Sequence, residues 1–349
     1  MKGFNHSNAK TLAEVKTALA GGKTEIIAGG TDLIGRLKDN ILPNYPETLI
    51  NIKTVAPSLD YIKEEAGGLK IGATTHLADI ASSKNINQKY TALAQAALRV
   101  ATPHVRDMGT IGGNVAQLHR CWYFRKPENR FPCVRKGGAT CFAMMGDNRY
   151  HSIFGNVNKC IAVHPSDVAP ALIALNASVV TNTRKINAEN FFDVKFPGNT
   201  VLAPGEFITE IQVPTPPAGA KSAFLKFAIR KSIDFPIVNC AVMVGGGAPR
   251  IALNAVAPKP YRAVKAEAAI AGKPINEANA EAAGAAAVED AKPLSATKYK
   301  VQIAKTLVKR ALLATVQVFG RRRGIPVHPA APDEEIRDMA DTAGSNGSL

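Results

Sequence analysis

A short apolar strand that ends in two glycines constrains this chain more than any other feature of its sequence. Residues 26–28 are apolar, and Gly29 and Gly30 follow directly. Glycine has no Cβ and readily adopts positive φ, so a charged ligand can approach the main chain closely here. The turn predicts a phosphate site, and the helix-like segment 33–40 would add the partial positive charge of its amides. The candidate residues are Ile26, Ile27, Ala28, Gly29, Gly30, Thr31, Asp32 and Leu33.

The first glycine turn alone has an ordinary tight turn as its alternative. Its spacing matches neither the dinucleotide fingerprint nor the phosphate loop. A second turn of small residues follows about 80 residues later, and two such turns predict one diphosphate held from two sides by main-chain amides. The candidate residues of this second glycine turn are Gly109, Thr110, Ile111, Gly112, Gly113 and Asn114.

The two turns resemble the FAD-pyrophosphate loops in the flavin subunit of molybdenum hydroxylases, the xanthine dehydrogenase family. The resemblance covers roughly residues 1–320. It implies an α+β fold, in which an FAD-binding domain of the PCMH or vanillyl-alcohol-oxidase type precedes a domain of small antiparallel sheet and helices. The expected parts are an N-terminal lobe (1–54), a second lobe (55–214) with an insert (119–160), a C-terminal domain (220–322) and a tail (323–349).

The resemblance also implies flavin contacts outside the two turns. Apolar side chains can cover a ring face, and a lysine near the flavin would favour its anionic reduced form. Each position has an ordinary alternative: strand core for Phe207 and Ile208, a helix N-cap for Asp167, and a solvated face for Lys226. The further candidate residues are Val100, Ala101, Ala116, Asp167, Phe207, Ile208 and Lys226.

Local patterns predict the order of helices and strands. A capping box at residues 11–14 begins a helix, and three C-terminal strands with a glycine hairpin turn at 245–247 precede alanine-rich helices. The predicted strands are 48–52, 69–73, 224–229, 237–244 and 250–256, and the predicted helices are 77–82, 93–100, 264–271, 277–291 and 297–319.

Four of the five cysteines lie in a stretch that is rich in Arg, Lys, Gly, Asn and Pro and poor in core-forming residues. These are Cys121, Cys133, Cys141 and Cys160. An insert with so few core-forming residues needs a cross-link to hold its structure. Nothing marks the chain as secreted, so a metal or cluster is favoured over disulfides as that cross-link. Structural zinc sites usually pair ligands as C-x2-4-C, which is absent here. The wide spacing favours a [4Fe-4S] cluster, with zinc and four buried or paired cysteines as alternatives. The cations expected to offset the cluster's charge are Arg120, Arg125, Lys126, Arg135 and Lys136.

The resemblance supports the cluster. One branch of the family, which includes 4-hydroxybenzoyl-CoA reductase and bacterial aldehyde oxidoreductases, carries a cysteine-bearing insert just after the second glycine loop. Here Cys121 follows Asn114 by seven residues, and Cys160 directly precedes the segment 161–167, which resembles a family motif. The fifth cysteine, Cys240, is expected to be a small buried apolar residue.

These features predict an electron-transfer subunit that holds FAD and one [4Fe-4S] cluster. By family implication, a large subunit holds molybdopterin and a small subunit holds [2Fe-2S] clusters, while FAD passes electrons to NAD, a quinone, ferredoxin or oxygen. No catalytic triad or HExxH motif is present. One alternative is a self-sufficient FAD-dependent oxidoreductase, which needs a catalytic acid or base beside the flavin. The other is a zinc-stapled module that binds a polyanion.

The net charge of +15 indicates an acidic partner or an anionic ligand. No nucleic-acid motif accompanies it, so we expect no nucleic-acid partner and assign the excess charge to acidic subunit surfaces, with residues 321–323 and the tail among the contacts. No run of 18 apolar residues predicts membrane insertion. Without the apolar core of a secretory signal, the expected location is cytoplasmic, or periplasmic if a signal-bearing partner exports the folded complex.

Overall fold

The structure of the chain is a computed structural model that describes residues 1–316. The arginines at 321–323, the predicted tail and the end of the predicted helix 297–319 lie outside these residues. Within residues 1–316, no helix has the length and apolar character needed to cross a membrane.

A small parallel sheet positions the first glycine turn. Strands β1 (Asn5–Asn8), β2 (Thr24–Ile27) and β3 (Thr48–Asn51) pair in the order β1-β3-β2. Parallel neighbours cannot be joined by a tight hairpin, and the helices α1 (Leu12–Ala20) and α2 (Leu33–Lys38) provide the connections. The first glycine turn therefore leaves the carboxyl end of β2 and leads into α2.

The predicted capping box begins α1, with one change of partner. The Thr11 hydroxyl accepts a hydrogen bond from the Glu14 amide at 3.2 Å. The Glu14 carboxylate accepts from the amide of Lys10 at 2.8 Å, one residue before the cap. The helix buries Val15 in a small core that also contains Phe207 from the second lobe.

A five-stranded antiparallel sheet forms the second lobe. Its strands pair in the order β4-β5-β8-β6-β7. They are β4 (Ile62–Glu65), β5 (Gly68–Gly72), β6 (Ser178–Thr181), β7 (Lys185–Asn187) and β8 (Ile208–Pro214). The helices of this part are α3 (Leu77–Ser82), α4 (Lys84–Lys89), α5 (Thr91–Leu98), α6 (Pro103–Met108), α7 (Ile111–Ala116), α8 (Phe142–Met145), α9 (Val168–Ala174) and α10 (Ala188–Phe191).

The cysteine-bearing insert contains little regular structure. Besides α8, it has one 3-10 turn at Val134–Lys136 and isolated bridges that join Cys133 to Thr140 and Val157 to Cys160. The helix predicted over 93–100 is α5, which begins and ends two residues earlier than predicted, at Thr91 and Leu98. The predicted 77–82 helix is confirmed as α3.

The C-terminal part is an antiparallel sheet between two helical layers. Alanines of α5 and α9 contact one face of the sheet, and the last three helices contact the other face. The inner strand Val238–Val244 is therefore buried on both faces. Its strands, in the order β12-β11-β10-β9, are β9 (Lys221–Phe227), β10 (Val238–Val244), β11 (Arg250–Asn254) and β12 (Tyr261–Arg262). The helices are α11 (Val264–Ile270), α12 (Glu277–Ala287) and α13 (Tyr299–Ala314). The predicted α+β class is thus confirmed.

A buried lysine joins α13 to the insert. Lys300 is fully buried, and its Nζ donates to the carbonyl oxygens of His151 at 2.9 Å and Ala255 at 2.5 Å. Burial lowers the pKa of Lys300 to about 7, whereas an unfolded lysine titrates near about 10.4. Between these values the unfolded chain keeps a proton that the folded chain releases, so the free energy of unfolding rises with pH across this window.

We therefore expect Lys300→Met to remove part of the pH dependence of stability. Urea unfolding at pH 7, 8 and 9 should show the wild type gaining up to about 1.4 kcal/mol per pH unit relative to the variant. Below pH 7 the difference should be constant, because both states of the wild type then hold the proton. Identical pH dependence of the two proteins from pH 7 to 9 would contradict this assignment.

Candidate functional site

A cavity of about 440 Å³ lies where the two glycine turns meet. Its volume is within the usual range for small-molecule sites. Apolar side chains from several elements form part of the wall, including Val100, Phe207 and Ile208. The loop between β9 and β10 contributes Ile233 and Phe235. The cavity therefore offers both polar turns and apolar surfaces to one ligand.

The two glycine turns are in direct contact with each other. A Cβ built on Gly29 would lie 2.0 Å from the carbonyl oxygen of Met108. Gly112 is needed for another contact, since its Cβ would lie 2.8 Å from the carbonyl oxygen of Ala73. Gly30 has φ +72°, a conformation that favours glycine. These glycines thus allow chain segments to approach one another as well as a ligand.

The main-chain amides of the two turns differ in availability. Within residues 1–316, the amides of residues 29–32 have no protein acceptor. In the second turn, five amides already donate to protein oxygens: those of Gly109, Ile111, Gly112, Gly113 and Asn114. The expectation that this second turn presents its amides to an anion is therefore wrong for those five groups. The first turn is the better amide cradle.

Three arginines surround the Asp32 carboxylate beside the first turn. Oδ1 contacts Arg120 at 2.9 Å and Arg125 at 2.7 Å, and Oδ2 contacts Arg36 at 3.4 Å. Oδ2 also accepts from the amide of Leu118 at 3.2 Å. Burial alone would raise the pKa of Asp32, but the three guanidinium groups outweigh it and hold the pKa below its usual value. Arg36 also pairs with Glu25 at 2.9 Å, so two carboxylates accompany the three arginines and this side of the cavity keeps one excess positive charge.

Asp167 and Lys226 form a buried ion pair at the cavity. Their side chains are 4% and 3% exposed, and Lys226 Nζ lies 2.6 Å from Asp167 Oδ2. Asn239 donates to the other carboxylate oxygen at 2.7 Å. Burial raises the pKa of Asp167, while Lys226 and Asn239 oppose that rise. Asp167 is the N-cap residue of α9, as the alternative expected, but its side chain makes no capping bond. The alternative of a solvated Lys226 is wrong, because its side chain is buried.

The four cysteines of the insert gather in one region as free thiols. Cys133 and Cys160 are buried, and Cys121 and Cys141 are half-buried. Cys121 packs against the small cores that contain Cys133 and Cys160. Burial raises the pKa of Cys121 to about 12, and the neighbouring thiols Cys160 and Cys133 add to the rise. Within residues 1–316, no three His, Cys, Asp or Glu side chains are grouped to hold a single metal ion.

Buried cations without carboxylate partners adjoin these thiols. Arg135 directs one guanidinium nitrogen to the Cys160 sulfur at 3.9 Å and donates to Gly198 and Asn199. Lys136 Nζ is buried with no hydrogen-bond partner and lies 5.2 Å from the centre of the Phe124 ring. Within the described residues, neither cation pairs with a carboxylate.

Comparison with known proteins identifies the protein family to which this chain belongs. Residues 2–216 match the family model described as the FAD binding domain in molybdopterin dehydrogenase. The chain belongs to the FAD-binding subunits of the molybdenum hydroxylases. Residues 223–315 match a second model, the CO dehydrogenase flavoprotein C-terminal domain. The expected succession of an FAD-binding domain and a C-terminal domain is thereby confirmed, while the exact borders stay a prediction.

Similar proteins carry names that agree with this family. The aldehyde oxidoreductase FAD-binding subunit PaoB of Escherichia coli (strain K12) is 34% identical, covering 92% of this chain and 99% of its own length. The carbon monoxide dehydrogenase medium chain of Hydrogenophaga pseudoflava is 29% identical, covering 89% of this chain and 96% of its own. A solved structure of carbon monoxide dehydrogenase from Hydrogenophaga pseudoflava that lacks the Mo-pyranopterin moiety of the molybdenum cofactor aligns with TM-score 0.69 and 29% identity, covering 90% of this chain and 97% of that chain.

The flavin subunit's predicted contact residues mostly meet at the cavity. All of them line it except Ile27, Ile111 and Lys226. Ile111 is fully buried in the core of the second lobe, and Ile27 packs against the core beside α2, so their side chains do not reach a ligand in the cavity. Lys226 contacts Asp167, which does line the cavity. Direct contact of the lining residues with FAD stays a prediction.

An anionic diphosphate fits the polar end of the flavin subunit's cavity. Arg36 and Arg120 both line it; the Nε atom of Arg120 is buried without a hydrogen-bond partner, whereas Arg36 is already paired with Asp32 and Glu25. A buried donor left unpaired is costly, and a phosphate oxygen would satisfy it. Together with the free amides of residues 29–32, these donors fit the charged centre of FAD.

An anionic cluster also fits the insert of the flavin subunit. Buried cations are costly unless an anion accompanies them; Arg135 interacts with the thiols and with Asp193, and Lys136 interacts with the thiols. Each cysteine of a [4Fe-4S] cluster binds a different iron, so its ligands lie farther apart than those of a single zinc ion. The expectation that Arg120 and Arg125 also offset the cluster is wrong, because both bind Asp32 instead.

Some lining residues of the flavin subunit were not predicted. Arg36 had a signal, since it follows Asp32 by four residues on a helix and such pairs interact. Glu206 directly precedes the predicted residue Phe207. Its ion pair with Arg184, in which Nε lies 2.8 Å from Oε1, depends on tertiary structure. Ile233, Asp234 and Phe235 come from the loop between β9 and β10 of the C-terminal part, so no local pattern places them at the cavity.

Proposed function

We propose that this chain is the electron-transfer subunit of a molybdopterin-dependent hydroxylase or dehydrogenase complex. It holds FAD in the cavity and one [4Fe-4S] cluster on Cys121, Cys133, Cys141 and Cys160. Electrons arrive from the iron-sulfur clusters of the complex and leave to an external acceptor. Substrate oxidation takes place on another subunit.

The state of the cavity's carboxylates is the observation that carries this proposal. Four carboxylates line the cavity, and each is already in an ion pair: Asp32 with arginines, Asp167 with Lys226, Glu206 with Arg184, and Asp234 with Arg230 at 2.5 Å. Among the described lining residues there is no histidine and no unpaired acid. A general acid or base must be within reach and able to exchange a proton. The cavity therefore suits electron transfer better than substrate chemistry.

The residues of this chain would bind and orient the flavin. Bound FAD would supply hydride and one-electron chemistry. The amides of the first turn and the guanidinium groups of Arg36 and Arg120 would hold its diphosphate. Phe207, Ile208 and Val100 would cover apolar surfaces and exclude water. Asp167 lines the cavity, and its ion pair with Lys226 would keep its charge neutralised beside the flavin.

The cluster assignment rests on charge and spacing together. Four free thiols share a region with two buried cations. Thiolates and an iron-sulfur core would provide an anion beside Arg135 and Lys136. Zinc is the alternative, and elemental analysis of the purified protein distinguishes the two. Iron with acid-labile sulfide supports the cluster, and zinc without sulfide contradicts it.

The names of the relatives support a multi-subunit assembly. PaoB is named as a subunit of an aldehyde oxidoreductase, and other relatives are named medium chains. By this analogy, a large molybdopterin subunit and a small [2Fe-2S] subunit would complete the complex, and an aldehyde would be its substrate. Xanthine dehydrogenase subunits are also among the relatives, at 22% identity, so a purine is the second substrate class to test.

Anaerobic reduction of the co-purified complex tests the function. We expect flavin absorption near about 450 nm, a general property of this cofactor, and its bleaching when an aromatic or aliphatic aldehyde is added. The isolated chain should contain the same flavin but remain oxidised with every aldehyde. Bleaching of the isolated chain would support the self-sufficient oxidoreductase, and purification without flavin would contradict both.

A further inference from the structure

The cysteine insert is attached to the segment that follows the first glycine turn. At the start of α2, Asp32 binds Arg120 and Arg125 of the insert. After α2, the Glu128 amide donates to the Asp39 carbonyl at 2.9 Å, and the Asn40 side chain donates to the Glu128 carboxylate at 2.8 Å. The insert therefore contacts the chain at both ends of α2.

An apolar contact joins the two segments between these polar contacts. Ile41 is 1% exposed and packs in one small core with Phe124 and Cys133 of the insert. Such burial contributes about 1.5–3 kcal/mol for a side chain of this size. Folding of the insert around its cysteines and placement of the first glycine turn are thus physically linked.

The Asp32 carboxylate is fully occupied by this attachment. It accepts from Arg120, Arg125, Arg36 and the Leu118 amide. It has little capacity left for a ligand hydroxyl, although it was expected to bind the cofactor directly. Arg120, in contrast, lines the cavity and has a buried Nε without a partner. Its guanidinium also stacks on Phe235 at 4.5 Å, which fixes its plane.

We propose that the insert supplies Arg120 as a ligand to the FAD diphosphate, and that Asp32 is a positioning residue that couples flavin retention to the folded state of the insert. This inference rests on the proposed FAD site. Because coupling between two binding sites is reciprocal, whatever orders the insert strengthens FAD binding, and FAD strengthens the order of the insert.

The Asp32→Asn variant separates positioning from simple charge. Removing a negative charge beside an anionic ligand would tighten binding if only net charge mattered. If Asp32 positions Arg120, the same change releases the arginines and weakens binding. We expect the dissociation constant of FAD, measured by fluorescence quenching on the flavin-depleted full chain, to rise about tenfold, the usual scale for a charged hydrogen bond. An unchanged or smaller value overturns the inference.

The role of Arg120 itself has a matched control in the insert. Arg120→Gln should weaken FAD binding about 10- to 100-fold, and Arg120→Lys should recover part of it, because a lysine keeps the charge but not the fork. Lys126→Gln removes the same charge from an exposed position in the insert and should leave the dissociation constant unchanged. Equal losses in the Arg120→Gln and Lys126→Gln variants would show that only net charge matters.

Proteolysis measures the coupling independently of affinity. Arg130 is exposed in the insert and is followed by Phe131, so trypsin should cut after it in the flavin-depleted chain. Saturating FAD should slow this cut in the wild type but not in Asp32→Asn. Equal protection in both proteins contradicts the coupling. If the wild type binds no FAD at all, the proposed function fails; if it binds FAD and Asp32→Asn matches it, only this inference fails.

Discussion

Gly29→Ala should leave the protein unable to retain FAD. The new methyl group would lie 2.0 Å from the carbonyl oxygen of Met108 and 3.1 Å from the Cα of Gly109. Both neighbours are backbone, so no side-chain rotation can relieve the overlap. Overpacking costs about 1–3 kcal/mol in general, and here it is relieved when the two turns that line the cavity move apart. At about 3 kcal/mol, FAD affinity falls roughly 100-fold.

Gly35→Ala is the matched control for this variant. Gly35 lies in α2 with nothing within 4 Å of an added Cβ, and alanine favours a helix over glycine by about 0.5–1 kcal/mol. This variant should bind FAD like the wild type and melt slightly higher. Equilibrium dialysis and thermal unfolding of both proteins check the pair. Stoichiometric flavin in purified Gly29→Ala would show that the contact between the turns does not control the site.

The sequence predicted only part of the reason why glycine is needed in the two turns. The pattern predicted both turns and placed them at one ligand, because two glycine turns in one chain can hold a diphosphate from two sides. It did not reveal that Gly29 and Gly112 approach Met108 and Ala73, since those contacts join segments distant in the chain. It also assigned free amides to the second turn, where local bonds occupy the amides of Gly109, Gly113 and Asn114 and tertiary bonds occupy those of Ile111 and Gly112.

The long helices and strands with a regular hydrophobic pattern were predicted well. The partners of charged residues in ion pairs were not. The strands near β10 and the helices α11 to α13 follow from hydrophobic pattern alone, and Ala304, Leu307 and Val308 form a buried apolar face of α13. Arg120 and Arg125 were assigned to the cysteines because they are near them in sequence. The fold instead directs them to Asp32, about 90 residues earlier. Charge pairing across the chain carries no local signature.

The cysteine assignment leads to a prediction about metal content. Cys133 is buried beside Ile41, Leu118 and Phe124, in the same region as the other three thiols. A cluster with three cysteine ligands is exposed at its fourth iron, and serine is a poor substitute for a soft thiolate. We expect Cys133→Ser to contain little iron and sulfide and to be cut faster by trypsin within residues 119–160.

Cys240→Ala is the control, because it separates a ligand from a buried cysteine. Cys240 is fully buried in β10 and packs in the C-terminal core, so its loss should cost stability, by about 1 kcal/mol for one small cavity, and leave iron and sulfide unchanged. Equal iron in the two variants would refute the assignment of Cys133. The coupling through Asp32 adds a second expectation, namely that Cys133→Ser also binds FAD more weakly, although no cysteine lines the cavity. A cluster-free variant with wild-type FAD affinity would show that the insert holds Arg120 in place without help from its cysteines.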